Sequence, residues 1–346
     1  VTPDITTKPS APATYRGTDD GKQPLWRATV RWESALVVLL VGVLVFGSQQ
    51  SANFMNSTNF FYIGLNMGEI AIMALPLTLI VMTGEIDLSV ASMLGLSGTV
   101  MGSLFHDGWS IWAAMAAALL VGAAGGALNG LLVSKVGLPS IAVTIGTLTL
   151  FRGLAEIVLA PRTITGFPAS LTKIGVMPVQ GTQIAWSGLI FLVLTVVFGV
   201  VLHATPLGRS IVAIGLQPEA ARFSGVRVDG IKFGLYVVSG VFCAFAGILF
   251  ALKNASVSYD AGTGLELNVV AIVLLGGVSI FGGRGTVVGV VLAVVIVGCL
   301  QQALTQRGVQ PEVQNIVTGA LLLISVVVPN SGEAVRRIRA RAKRVR

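Results

Sequence analysis

Two short acidic motifs, Glu85-Ile86-Asp87-Leu88-Ser89-Val90 and Glu266-Leu267-Asn268-Val269, interrupt stretches that are otherwise almost entirely apolar. Carboxylates are costly at bilayer depth, so their presence there points to a polar path or a built site. Glu85, Asp87, Ser89, Glu266 and Asn268 offer the donors and acceptors that a polyhydroxylated solute needs, and are the candidate pathway residues. Asp87 and Ser89 have an architectural use as well, because either can cap a following helix by accepting from its free N–H groups. Thr83-Gly84 just before them suits a helix end, and Gly262-Thr263-Gly264 precedes the second motif in the same way. Glu69 is a further candidate, as are Arg152 and Glu156, whose i, i+4 spacing also allows them simply to pair.

A second signal lies at Thr205 to Lys232. It reads as a loop followed by a short helix that Pro218 begins and Gly225 ends, with Gly215, Glu219, Ala220, Ala221 and Arg222 around it. Such a helix lies inert on a membrane surface or serves as a docking knob for a soluble motor. Cys243 and Cys299 stand alone in apolar runs, and His106 and His203 fall at helix ends, so no metal constellation is present. No catalytic residues are identified, and no G-x-x-x-x-G-K-[ST] occurs, which leaves nucleotide chemistry to another chain.

The elements that position these residues follow from composition. A chain of 346 residues, 54% hydrophobic and 11% charged, with mean hydropathy +0.85, carries more apolar surface than a soluble core of this size hides. Spanning the bilayer takes about 20 helical residues, and runs such as Leu36 to Phe46 are apolar on every side, which excludes an alternating barrel strand. The expectation is an all-α polytopic protein with helices near 33–52, 60–83, 88–106, 110–134, 138–159, 184–203, 232–252, 265–282, 286–305 and 312–330. Most of the 42 glycines read as helix-packing contacts, as in Gly122-Ala123-Ala124-Gly125-Gly126.

With a cytoplasmic N-terminus, eighteen of the 23 Lys and Arg fall on the inner side and four on the outer, Arg152 lying within a helix. By the positive-inside rule both termini are cytoplasmic. Residues 1–32 read as a flexible tail without a signal-peptide core, 33–330 as the membrane domain and 331–346 as a basic tail that meets anionic lipid rather than nucleic acid. The halves align at an offset of 172, which pairs Gly126 with Gly298, Lys135 with Arg307 and Pro139 with Pro311, while the acidic motifs align at 179. An offset of five helices makes the second copy run upside down, so the chain reads as two inverted five-helix repeats with a pathway between them.

Residues 83–91 (TGEIDLSVA), 126–139 (GALNGLLVSKVGLP), 215–225 (GLQPEAARFSG) and 266–285 (ELNVVAIVLLGGVSIFGGRG) together resemble the permease subunits of bacterial carbohydrate ATP-binding-cassette importers. That group includes the ribose, xylose, rhamnose and autoinducer-2 permeases, and the likeness covers about residues 34–330. Two positions depart from it, Gly84-Glu85 standing where two glycines are usual and Asn268 where Asp is usual. Residues 74–78 and 300–304 lean towards the rhamnose and autoinducer-2 branch.

The resemblance implies a multi-pass protein of the bacterial inner membrane that is not an enzyme and holds no cofactor, ATP being bound by a partner. It makes Gly215, Pro218, Glu219, Ala220, Ala221, Arg222 and Gly225 the contact with that cytoplasmic ATPase. The other implied partners are an extracytoplasmic solute-binding protein and a second copy or related permease. Other readings are a branched-chain amino acid permease of the same superfamily, an ion-coupled secondary transporter using the intramembrane carboxylates, and a membrane scaffold.

Overall fold

The computed structural model describes residues 32–325 and 327. Both expected tails, apart from Trp32, therefore lie outside the described residues. Helices run over α1 Trp32–Gln50, α2 Ser57–Met82, α3 Val90–His106, α4 Ile111–Gly130, α5 Ser140–Leu159, α6 Ala169–Val176, α7 Trp186–Ala204, α8 Pro206–Leu216, α9 Pro218–Phe223, α10 Val228–Asn254, α11 Leu265–Leu275 and α12 Val287–Gln306. A further helix, α13, covers 311–325. The last turn of α4 widens into a π-helix over Leu131–Lys135.

A helix lies over each of the ten expected apolar segments, and among the described residues seven of these are long and apolar enough to cross a membrane. Val90–His106 and Leu265–Leu275 are shorter. The expected helix 265–282 stops at Leu275, because Gly277, Gly282 and Gly283 adopt the left-handed conformation that ends helices. Residues 205–217, expected as loop, are largely helical: Pro206 occupies the first turn and the Thr205 hydroxyl accepts from Gly208 N at 3.4 Å. One small β-ladder departs from the all-α expectation, pairing Ile164–Thr165 with Ser256–Val257.

α2 and α10 form the centre. Almost every residue of α2 from Met67 to Met82 is buried, whereas the long helices α1, α5 and α7 keep wide apolar faces exposed, as lipid-facing helices do. α10 packs along α3 and α4, and α2 packs along α11 and α12, so each central helix sits among elements of the other half of the chain. The α4/α10 contact depends on small residues, as the sequence implies. A Cβ on Gly126 would lie 2.3 Å from Tyr236 O and one on Gly122 2.4 Å from Gly240 O, so the backbones touch.

Candidate functional site

The first break begins where α2 ends at Met82. Gly84 turns the chain at φ 84°, and residues up to Ser89 are irregular before α3 starts. Backbone of this kind at membrane depth has to be satisfied by protein or water. Here neighbouring helices supply the partners: Ile86 N donates to Ser140 Oγ at 3.2 Å, and Thr144 Oγ1 donates to Ile86 O at 3.3 Å.

Asp87 is buried and accepts from Ser89 N at 2.9 Å and from Ser89 Oγ at 2.6 Å. Asn129 Nδ2 of α4 in turn donates to Ser89 Oγ at 2.8 Å. The capping role is thus only half filled. The Asp87 carboxylate reaches the N–H at the mouth of α3, but the Ser89 hydroxyl is engaged with Asp87 and Asn129 and caps nothing. Asn129 Oδ1 and the Tyr236 hydroxyl are buried without hydrogen-bond partners.

Glu85 points elsewhere, into an ion pair with Lys232 near the start of α10. Lys232 closes the 205–232 segment, so this pair links the first break directly to the short helices of that segment. Backbone contacts repeat the link. Gly283 N donates to Met82 O at 2.9 Å, and a Cβ on Gly215 at the end of α8 would lie 1.9 Å from Met82 O and 2.2 Å from Gly283 N. The end of α2, the end of α8 and the glycine turn at 282–283 meet with no room for a side chain. At the same end Trp32 Nε1 donates to Leu275 O at 2.9 Å, satisfying a carbonyl at the end of α11.

Beyond this junction α9 spans Pro218–Phe223, with Pro218 in its first turn and Gly225 following at φ 85°, the short helix read from the sequence. Ala221 is buried beneath it with Ile214 and Val228. Glu219 and Ala220 are exposed, and Arg222 pairs with Asp229 at 2.5 Å. Phe223, which the sequence reading passed over, is 91% exposed, and Leu216 and Phe281 are also exposed. The signal for it was an aromatic closing a helix whose inner face is already filled by Ala221.

Glu266 and Asn268 lie in the first turns of α11, both half-buried. No hydrogen bond or ion pair joins either to Glu85, Asp87 or Ser89 among the described residues. Their surroundings are set by Arg152. The Arg152–Glu156 pairing that the spacing allows is not formed among the described residues: Arg152 Nη1 donates to Ala261 O at 2.6 Å, with Glu266 and Asp260 the carboxylates that act on it, while Glu156 is exposed. The loop before α11 comes within reach of the guanidinium, whereas pairing with Glu156 on the outer helix face would leave it towards lipid. Glu69, buried in α2, pairs with Lys253 at 2.8 Å near the end of α10.

Seven apolar helices long enough to span among the described residues, a mostly buried central pair, and polar breaks stitched to neighbours define a multi-pass helical membrane protein of transporter type. The chain belongs to the family described as branched-chain amino acid transport system, permease component, which matches residues 59–326. It is 33% identical over 311 residues to the autoinducer 2 import system permease protein LsrD of Klebsiella pneumoniae subsp. pneumoniae, covering 86% of this chain and 91% of that protein. It is 34% identical over 311 residues to LsrD of Enterobacter sp. (strain 638), covering 86% and 92%. Against LsrD of Escherichia coli (strain K12) the identity is 34% over 302 residues, covering 86% and 91%. No solved structure matches the chain.

Proposed function

We propose that this chain is the permease subunit of an ATP-binding-cassette importer that brings a monosaccharide or sugar-like solute into the cytoplasm across the bacterial inner membrane. Ten helices cross in two inverted five-helix repeats, with both termini and the 205–232 segment inside. The exchange of α2 and α10 between halves supports the repeat, since corresponding helices then occupy corresponding places. The LsrD relatives are named as autoinducer 2 import permeases, which supports import of a small solute.

The observation that carries the reading is the close meeting of Gly215, Met82 and Gly283. A push on α9 from a cytoplasmic ATPase reaches the ends of α2 and of the glycine turn through rigid backbone, with no side chain between to absorb it. Pro218, Glu219, Ala220, Ala221, Arg222 and Gly225 frame the contact with the motor, and Phe223 is its exposed apolar anchor. Glu85 belongs to this linkage through Lys232, while Asp87 and Ser89 hold the break in shape beside the path, and Glu266 and Asn268 face the conduit from α11. A solute-binding protein delivers cargo from outside, and a second copy or a related permease completes the pore.

The family description favours one second reading, a branched-chain amino acid permease. Proteoliposomes holding the chain with its ATPase, binding protein and partner permease separate the two. ATP-dependent uptake competed by sugars but not by leucine, and unaffected by a protonophore, is the expected result. Uptake competed by leucine, or uptake that collapses with a protonophore while ATP is held constant, overturns the proposal.

A further inference from the structure

Towards the other end of α2 and α12 from the Gly215 junction, residues of α2, α12 and α13 line a partly open cavity of about 210 Å³, in which Asn66 and Thr305 are exposed. Its polar wall is Asn66, Gln301, Gln302, Thr305 and Gln314. Asn66 stands about 24 Å along α2 from Met82, and Gln302 about 22 Å along α12 from Val287, at the rise of an α-helix. With the junction inside, the cavity lies in the outer part of the membrane domain, where a delivered solute arrives first.

The rest of the lining is Ile63, Met67 and Gly298, and the polar part is uncharged. No carboxylate, ammonium or guanidinium lines it. An amide presents two donor hydrogens and two acceptor lone pairs without charge, which matches hydroxyl groups that each donate and accept. Some of this capacity is spent internally: Gln314 Nε2 donates to Thr305 Oγ1 at 3.1 Å and to Val309 O at 3.0 Å, and Gln301 Nε2 to Thr318 Oγ1 at 3.4 Å. The amides of Asn66 and Gln302 have no hydrogen-bond partner in the protein among the described residues. An amino acid entering here would bring an ammonium and a carboxylate to a wall that offers no ionic partner for either.

We propose that this cavity is the permease's own subsite for an uncharged polyhydroxylated solute, with Asn66 and Gln302 as the groups that recognise it. The inference rests on the importer reading above and narrows its cargo to neutral, hydroxyl-rich molecules. The test uses the assembled transporter in proteoliposomes, with radiolabelled ribose, xylose, rhamnose and autoinducer 2 as the panel and leucine as the contrast. Asn66→Leu and Gln302→Leu are each expected to slow uptake of the transported sugar at least tenfold while ATPase stimulation by the binding protein stays within twofold of wild type, and Gln302→Asn to recover part of the rate.

Uptake within twofold of wild type in both Leu variants overturns the subsite and leaves the importer reading standing. A wild-type transporter that moves leucine and none of the panel overturns both. Should the Leu variants fail to assemble, Asn66→Ser and Gln302→Thr replace them, with the same two outcomes read from relative rates across the panel: an altered order of preference supports the subsite, and an unchanged order at unchanged rate overturns it.

Discussion

Lys232 of α10 forms an ion pair with Glu85, 147 positions earlier, in the break that follows α2. The two side chains are only 13% and 18% exposed. One belongs to the 205–232 segment and the other to the break after α2, so in the importer proposed above a single contact would join the motor-facing helices to the solute path.

Removing one partner leaves a largely buried charge without its counterion, which costs about 3–5 kcal/mol, whereas removing both costs far less. Lys232→Met is therefore expected to lower the Tm of the purified permease and to reduce uptake, and the double substitution Glu85→Gln with Lys232→Met to recover most of the Tm. A double variant no more stable than Lys232→Met alone would show the pair to be incidental.

Gly215→Ala puts a methyl group where Met82 O and Gly283 N already stand. Overpacking of this kind costs about 1–3 kcal/mol, and here it pries apart α8 and the two turns. Transport is expected to fall at least tenfold with ATP hydrolysis continuing, a loss of coupling rather than of assembly. Normal uptake at normal hydrolysis would mean that the contact carries no motion.

Phe223→Ala removes a side chain that is 91% exposed in the isolated chain, so the Tm of the permease alone stays within about a degree. Co-isolation of the ATPase is expected to drop sharply, because a buried aromatic anchor carries a large share of an interface. Glu219→Ala, exposed on the same short helix, is expected to weaken it less. Full retention of the ATPase by the Phe223 variant would place the docking surface elsewhere.

Asp87→Ala strips the acceptor from both Ser89 N and Ser89 Oγ in a buried setting. Leaving such donors unsatisfied costs about 1–3 kcal/mol each at most, and thermal unfolding in detergent is expected to begin several degrees lower. Asn129→Leu, which frees the same hydroxyl and removes an unpartnered Oδ1, is expected to cost less. Equal Tm values for wild type and Asp87→Ala would show that the network does not brace the break.

Helix positions were legible because apolar run length and glycine placement are local properties, and the short helix from Pro218 to Phe223 was announced by its own proline and glycine. Two features were not local. Gly276 to Gly285 carries enough apolar residues to continue α11, and only the left-handed turns at Gly277, Gly282 and Gly283 end it. Likewise Arg152 and Glu156 have a pairing distance along the helix, yet Arg152 meets Ala261 O across the fold.

For the site, the motifs were found but not their partners. Nothing in the spacing told that Glu85 would meet Lys232, that Asp87 would spend its carboxylate on Ser89, or that Asn66 and Gln302 would share a cavity. Amides escape a reading that searches for charge, since they interrupt hydrophobic runs only mildly.

Because α2 is embedded among α11 and α12 while α10 is embedded among α3 and α4, the two halves are clasped like linked arms. They cannot swing apart during a cycle without dismantling the core. In the importer proposed above, movement that admits cargo then falls to the periphery of each copy and not to a split between its halves.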